Sequence, residues 1–189
     1  RLLGEQDVLV GLWRQRCNSE VTRVGLALTQ HGHWQEAQDV FFRGMQRASA
    51  GQVTGVTKTE LCLWETNWLE SAKQLNQWEL VSDFARSVDH TDLMLHSSWR
   101  QNDWNGVKDL LPTSASPSEV EETPELYVIR VYAALNSGRV AEAEQCWKQA
   151  VKLLLDRWWK LPELGAAAHV PSLHSFQVLV ELQESTRVL

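Results

Sequence analysis

Four times along the chain, a residue that tolerates a left-handed backbone stands two positions before a large apolar one. The pairs are Gly32/Trp34, Asn76/Trp78, Asn102/Trp104 and Gly138/Val140. After each large residue, non-polar side chains recur at +3, +6 and +7. These are Ala37, Val40 and Phe41; Val81, Phe84 and Ala85; Val107, Leu110 and Leu111; and Ala143, Cys146 and Trp147. Residues three and four apart share one helix face, and Gly and Asn most readily end a helix in the left-handed region. The pattern therefore predicts four helix–turn–helix units.

Each preceding helix has its own apolar stripe: Val21, Val24 and Leu28; Leu61, Trp64, Trp68 and Leu75; Leu93, Met94 and Trp99; Leu126, Ile129, Val131 and Leu135. Further amphipathic helices are expected before them, with Val8, Leu12 and Trp13, and after them, with Leu173, Phe176 and Val180. The array is thus expected to continue past both ends as part of a longer chain. Residues 49–59, SAGQVTGVTKT, and 112–123, PTSASPSEVEET, break the periodicity and read as loops. The second loop is expected to end with Thr123 as N-cap and Pro124 at the first helical position.

Neither a shift in composition nor an alternating β-branched run interrupts this order. Residues 1–189 are therefore read as one segment of an all-α solenoid built from degenerate tetratricopeptide-like helix–turn–helix repeats. GHWQEAQDVFFRGMQRA, residues 32–48, resembles the second half of a tetratricopeptide repeat. The anchors lie 44, 26 and 36 residues apart, however, where regular arrays hold a constant spacing of about 34.

Tryptophan dominates the aromatic content, with 10 Trp against 2 Tyr and 4 Phe. Trp64 and Trp68 are four apart on one helix and Trp78 opens the next, so the three are expected to meet at one seam. There each would bury apolar area worth about 2–3 kcal/mol. Trp34, Trp64, Trp68 and Trp78 are expected to be mostly buried and, with Trp104, Trp147 and Trp158, to form the aromatic signature of the core. Clustered indoles also stack ligands, but their positions on apolar helix faces favour packing.

The chain offers little for other chemistry. Its formal charge of −6 does not favour a nucleic-acid duplex as partner. No apolar run approaches the roughly 18 residues of a membrane span. Cys17, Cys62 and Cys146 are odd in number and lack C-x-x-C spacing, which fits buried thiols in a reducing, intracellular compartment. GQVTG at 51–55 is not a phosphate loop, and VDHTD at 88–92 lacks the Arg and Asn of a kinase catalytic loop. His31 with His33, His90 with His96, and His169 with His174 have no third ligand at metal-binding spacing. RWWK at 157–160 mixes indoles and cations as single-strand binders do. Before Pro162, however, it reads as a helix end with one indole on the core and the cations near the carbonyl terminus. Glu119, Glu121 and Glu122 read as a solvated loop. No catalytic, metal or cofactor-binding residue is assigned, and no cofactor is expected.

Six stretches together resemble the FAT domain of the phosphatidylinositol-3-kinase-related kinases, and within it the transcription-associated pseudokinase branch. They are GLWRQRC at 11–17, QHGHWQEAQDVF at 30–41, LWETNWLESAKQLNQWELV at 63–81, SWRQNDWNGVKDLL at 98–111, RWWKLPEL at 157–164 and VLVELQES at 178–185. Gln74 stands where the family pattern has Glu, and residues 112–155 carry least of the likeness. The resemblance implies a non-catalytic, nuclear scaffold segment whose partners are histone acetyltransferase coactivator subunits and transcription activators. It implies no direct contact with nucleic acid or membrane. Two other readings stay open: the regulatory FAT region of an active kinase, and a peptide-binding tetratricopeptide adaptor.

Overall fold

The computed structural model describes residues 6–52, 55–111, 122–162 and 166–188. Among them are ten α-helices and no strand. The helices are α1 (Gln6–Arg16), α2 (Glu20–Gln30), α3 (Trp34–Ser49), α4 (Lys58–Gln74), α5 (Trp78–Ser87), α6 (Thr91–Arg100), α7 (Trp104–Leu110), α8 (Pro124–Asn136), α9 (Val140–Trp158) and α10 (Ala166–Val188). The expected all-α class is the observed one. Ser49 closes α3, and Lys58 and Thr59 already belong to α4, so the first loop is shorter than its composition implied. Thr123 caps α8 by accepting from the Leu126 N–H at 3.2 Å, with Pro124 at the start of the helix. Residues 112–121 of the second loop lie outside the described residues.

All four expected turns share one backbone geometry. Gly32, Asn76, Asn102 and Gly138 have φ of 77°, 55°, 58° and 69°. The N–H after each of them donates to the carbonyl five residues back, at 2.9 Å in every case: His33 to Leu28, Gln77 to Ala72, Asp103 to Ser98, Arg139 to Ala134. This is the bond that closes a left-handed helix terminus. The next helix then starts at once, and its +3 N–H donates to the carbonyl of the N-cap residue. Those +3 residues, Ala37, Val81, Val107 and Ala143, are all 0% exposed. Gly51, Gly55 and Asp89 also take positive φ, at 69°, 86° and 51°, and Asp89 stands just before the N-cap of α6.

The helices group into two compact units, one ending at Asp89 and the other beginning at His90. In the first, α3 packs against both α2 and α4. Its core joins Ala37, Phe41, Trp64 and Trp68 to Val21, Leu28, Met45, Leu61 and Phe84. Gly25 lets α2 approach closely, since a β-carbon there would overlap the Phe41 ring. In the second unit, α9 packs against both α8 and α10 around Val131, Ala143, Ala150, Leu154, Leu179 and Leu182. A neighbouring cluster joins Leu95 and Val107 to Leu126, Ile129 and Ala133.

Glu60 ties the first unit together. Its carboxylate is 1% exposed. One oxygen accepts from the Ser19 N–H at 3.2 Å and the Thr22 hydroxyl at 2.9 Å. The other accepts from the Thr57 N–H at 3.4 Å, which completes a capping box at the start of α4. Thr22 in turn accepts from the Trp64 indole N–H at 2.8 Å. Ser19 is the N-cap of α2, so one carboxylate serves the N-termini of two helices, where the backbone dipoles favour negative charge.

Two outcomes follow from these geometries. Asn76→Gly should leave the urea unfolding midpoint nearly unchanged, whereas Asn76→Ala should cost about 1–2 kcal/mol from left-handed strain. Glu60→Ala should cost roughly 2–4 kcal/mol and Thr22→Val about 1–3 kcal/mol, because each strands buried donors. The double variant should lose less than the sum, as expected for one shared network. Strict additivity in denaturant titrations would show that the bonds act independently.

Candidate functional site

The titratable side chains do not assemble a reaction centre. Among the described residues, no group of three or more His, Cys, Asp or Glu could hold a metal ion. His31 is the C-cap of α2, and His33, the N-cap residue before α3, has its Nδ1 4.0 Å from Glu36. His90 caps α6, its Nδ1 accepting from the Leu93 N–H at 3.4 Å. His169 packs edge-on to Trp158 at 4.6 Å. Glu60 is the only buried acidic or basic residue among those described, and both its oxygens are occupied by donors of the fold.

The cysteines depart from the expectation of three buried thiols. Cys17 is buried and Cys146 half-buried, where burial pushes its thiol pKa up, but Cys62 is exposed on α4. Cys62 lies about 200° round the helix from buried Trp64, so the core face passes it by. No helix described here is long and apolar enough to cross a membrane.

The seven signature tryptophans separate into two groups. Trp64 and Trp68 are 0% and 7% exposed, and the Trp64 N–H finds its acceptor in Thr22. Trp34, Trp78, Trp104, Trp147 and Trp158 are half-buried. Trp34 and Trp78 are thus less deeply buried than Trp64 and Trp68. Both are the first residue of their helix, where a side chain leans back over the preceding turn. The Trp34 indole reaches Gly32, and the Trp78 N–H donates to Asn76 Oδ1 at 3.3 Å. The ring that meets Trp68 across the α4–α5 seam is Phe84, at 5.5 Å between centroids. Trp104 lies against the Leu95 cluster. Trp147 donates to the Leu179 carbonyl at 2.7 Å and so links α9 to α10.

What the chain presents outward is apolar helix surface. Leu173 and Val180, expected on the buried stripe of the last helix, are exposed, and Leu179 and Leu182 carry the packing instead. Val8 and Leu12 likewise face outward, while Val10 is buried. Both helices bear apolar residues on two faces, so periodicity alone does not say which face the fold uses. A shallow apolar depression on α2, lined by Arg23, Val24, Ala27, Leu28 and His31, adds to this surface.

Comparison with known proteins accords with these features. The model of the FAT domain family matches residues 91–189, which is the second unit from α6 onward. The probable transcription-associated protein 1 of Dictyostelium discoideum is 35% identical over 187 residues, 99% of this chain and 4% of that protein. The SAGA complex/NuA4 acetyltransferase complex subunit TRA1 of Saccharomyces cerevisiae is 31% identical over 191 residues, 98% of this chain and 5% of that protein. The human transformation/transcription domain-associated protein is 29% identical over 196 residues, 99% of this chain and 5% of that protein. The chain therefore spans about one-twentieth of the length of these relatives, and the likeness extends over both of its units. With the family model spanning more than half of its residues, this chain belongs to the FAT domain family.

Proposed function

We propose that this chain is a non-catalytic, bracing segment of a large nuclear coactivator subunit, one that holds histone acetyltransferase complexes together and presents surface to activators and neighbouring subunits. The observation that carries the reading is the alignment of 98% of the chain with a yeast protein described as a subunit of the SAGA and NuA4 acetyltransferase complexes. The construction of the molecule supports it. Distinctive residues such as Trp64, Trp68, Thr22 and Glu60 are committed to helix seams, and no nucleophile–base pair or phosphate loop is evident among the described residues. Residues 1–189 are proposed to form one segment of a single FAT-type solenoid. The outward stripes of α2 and α10 are then seats for further helices of the same array.

A tagged parent protein purified at native expression should bring down an acetyltransferase with its companion subunits and show no protein phosphotransfer. Replacing Trp64 and Trp68 together by Ala should lower recovery of the whole assembly, since each buried Trp lost costs about 3–5 kcal/mol. Robust ATP-dependent phosphorylation without an acetyltransferase would instead identify the regulatory region of an active kinase.

A further inference from the structure

We propose that Asn105–Gly106, at the start of α7, is a spontaneous deamidation site gated by the Asp103 cap. The pair stays intact while α7 is closed and converts to aspartate and isoaspartate when it opens. It is the single Asn-Gly dipeptide in the chain, and Asn105 is exposed. The reaction needs the backbone nitrogen of the following residue to reach the asparagine Cγ, and glycine presents that nitrogen with no side chain in the way. In the folded chain the nitrogen is engaged. The Gly106 N–H donates to Asp103 Oδ1 at 3.1 Å, the bond that caps α7. The same carboxylate accounts for the glycine, since a β-carbon on residue 106 would overlap Asp103 Oδ2 and lie 3.2 Å from Ser98 Oγ. A side chain there would displace the cap, so the fold itself keeps the labile pair in place.

On opening, the Gly106 nitrogen attacks Asn105 Cγ. The N–Cγ bond forms as the Cγ–Nδ2 bond breaks, and ammonia leaves carrying the former amide proton of Gly106. Water then opens the succinimide ring. Cleavage at Cγ gives aspartate and cleavage at the main-chain carbonyl gives isoaspartate, so the net change on either route is hydrolysis of an amide to a carboxylate. α7 is suited to such opening, because it has only 7 residues and its first turn contains Asn and Gly, both weak helix formers. Isoaspartate routes the main chain through an extra carbon. Inserted at position 105, it displaces Val107, whose N–H donates to the Asp103 carbonyl at 3.0 Å and whose side chain is 0% exposed. The modification therefore removes the buried contact of the third hairpin.

The test incubates the 189-residue chain at neutral pH, both native and in urea, and follows residue 105 by peptide mass spectrometry. Methylation by an isoaspartyl methyltransferase is the probe for isoaspartate. Conversion should be about tenfold or more slower in the native chain than in urea. Asp103→Ala should raise the native rate about threefold to tenfold, and Asp103→Ser, which restores a capping oxygen, should return it toward wild type. Asn18–Ser19 and Asn136–Ser137 report global unfolding, since the Ser19 N–H is held by Glu60 and the Ser137 N–H by Ala133 and Ala134. Their conversion should not change in the Asp103 variants. The isoaspartate form, separated by ion exchange, should melt below wild type. Equal rates at residue 105 in the native chain and in urea, or no acceleration by Asp103→Ala, would overturn the gate. So would an acceleration shared by Asn18 and Asn136, which would trace it to global unfolding. An isoaspartate form that melts with wild type would overturn the proposed loss of the hairpin contact.

Discussion

Four helical pairs, α2–α3, α4–α5, α6–α7 and α8–α9, each depend on one left-handed residue placed between the two helices. That residue reverses the chain, and the backbone bond from its successor closes the outgoing helix. Because the next helix begins two positions later in all four turns, its +3 residue always arrives against the partner helix. Ala37, Val81, Val107 and Ala143 differ in size, yet none has any exposure. The large residue at the start of the helix is less constrained. Val140 takes that place in the fourth turn and is 37% exposed, with the backbone turn unchanged. The hairpin is therefore defined by the turn and the +3 contact.

Polar groups buried by such packing need partners, and the two units supply them differently. In the first, the Trp64 indole passes its hydrogen bond through Thr22 to Glu60, whose carboxylate then receives two helix starts. The chain of donors is complete, so the charge is buried among groups that satisfy it. In the second, the Trp147 indole uses a helix carbonyl, Leu179, that is available without any partner side chain. The first device makes α2 and α4 interdependent through residues about forty positions apart. The second asks only that α10 lie at the right height along α9.

The turns, the helix count they imply and the cap at Thr123 were legible in the sequence because each is a local event. Gly and Asn announce left-handed backbone, and Thr-Pro announces a helix start. The Glu60 network was half legible. Thr57 and Glu60 spell a capping box, but nothing local shows that the same carboxylate reaches Ser19 and Thr22. How deeply each tryptophan is buried was not legible, for a geometric reason. Membership in a stripe does not reveal whether a residue lies mid-helix, like Trp64, or in the first turn, like Trp34 and Trp78. On α1 and α10, where apolar residues occupy two faces, the choice of face is made by neighbours that periodicity cannot see. Asp89 escaped notice because aspartate adopts the left-handed region less readily than Gly or Asn.

Irregular anchor spacing has its origin in unequal helices and unequal connections. Within the spaced region α4 has 17 residues and α7 has 7, and the stretch from Ser49 to Lys58 is longer than that from Ser87 to Thr91. Readers of extended peptides repeat one set of groove-lining side chains at a constant rise, and that needs repeats of equal length. Repeats of unequal length place each exposed side chain in surroundings of its own. The adjacent tryptophans at the end of α9 show the consequence at the smallest scale. About 100° apart round the helix, Trp158 is spent on holding α10 while Trp159 stands in water. A chain built in this way gives up a repeated binding groove and gains distinct, rigidly held patches, which is the property a multi-subunit scaffold requires.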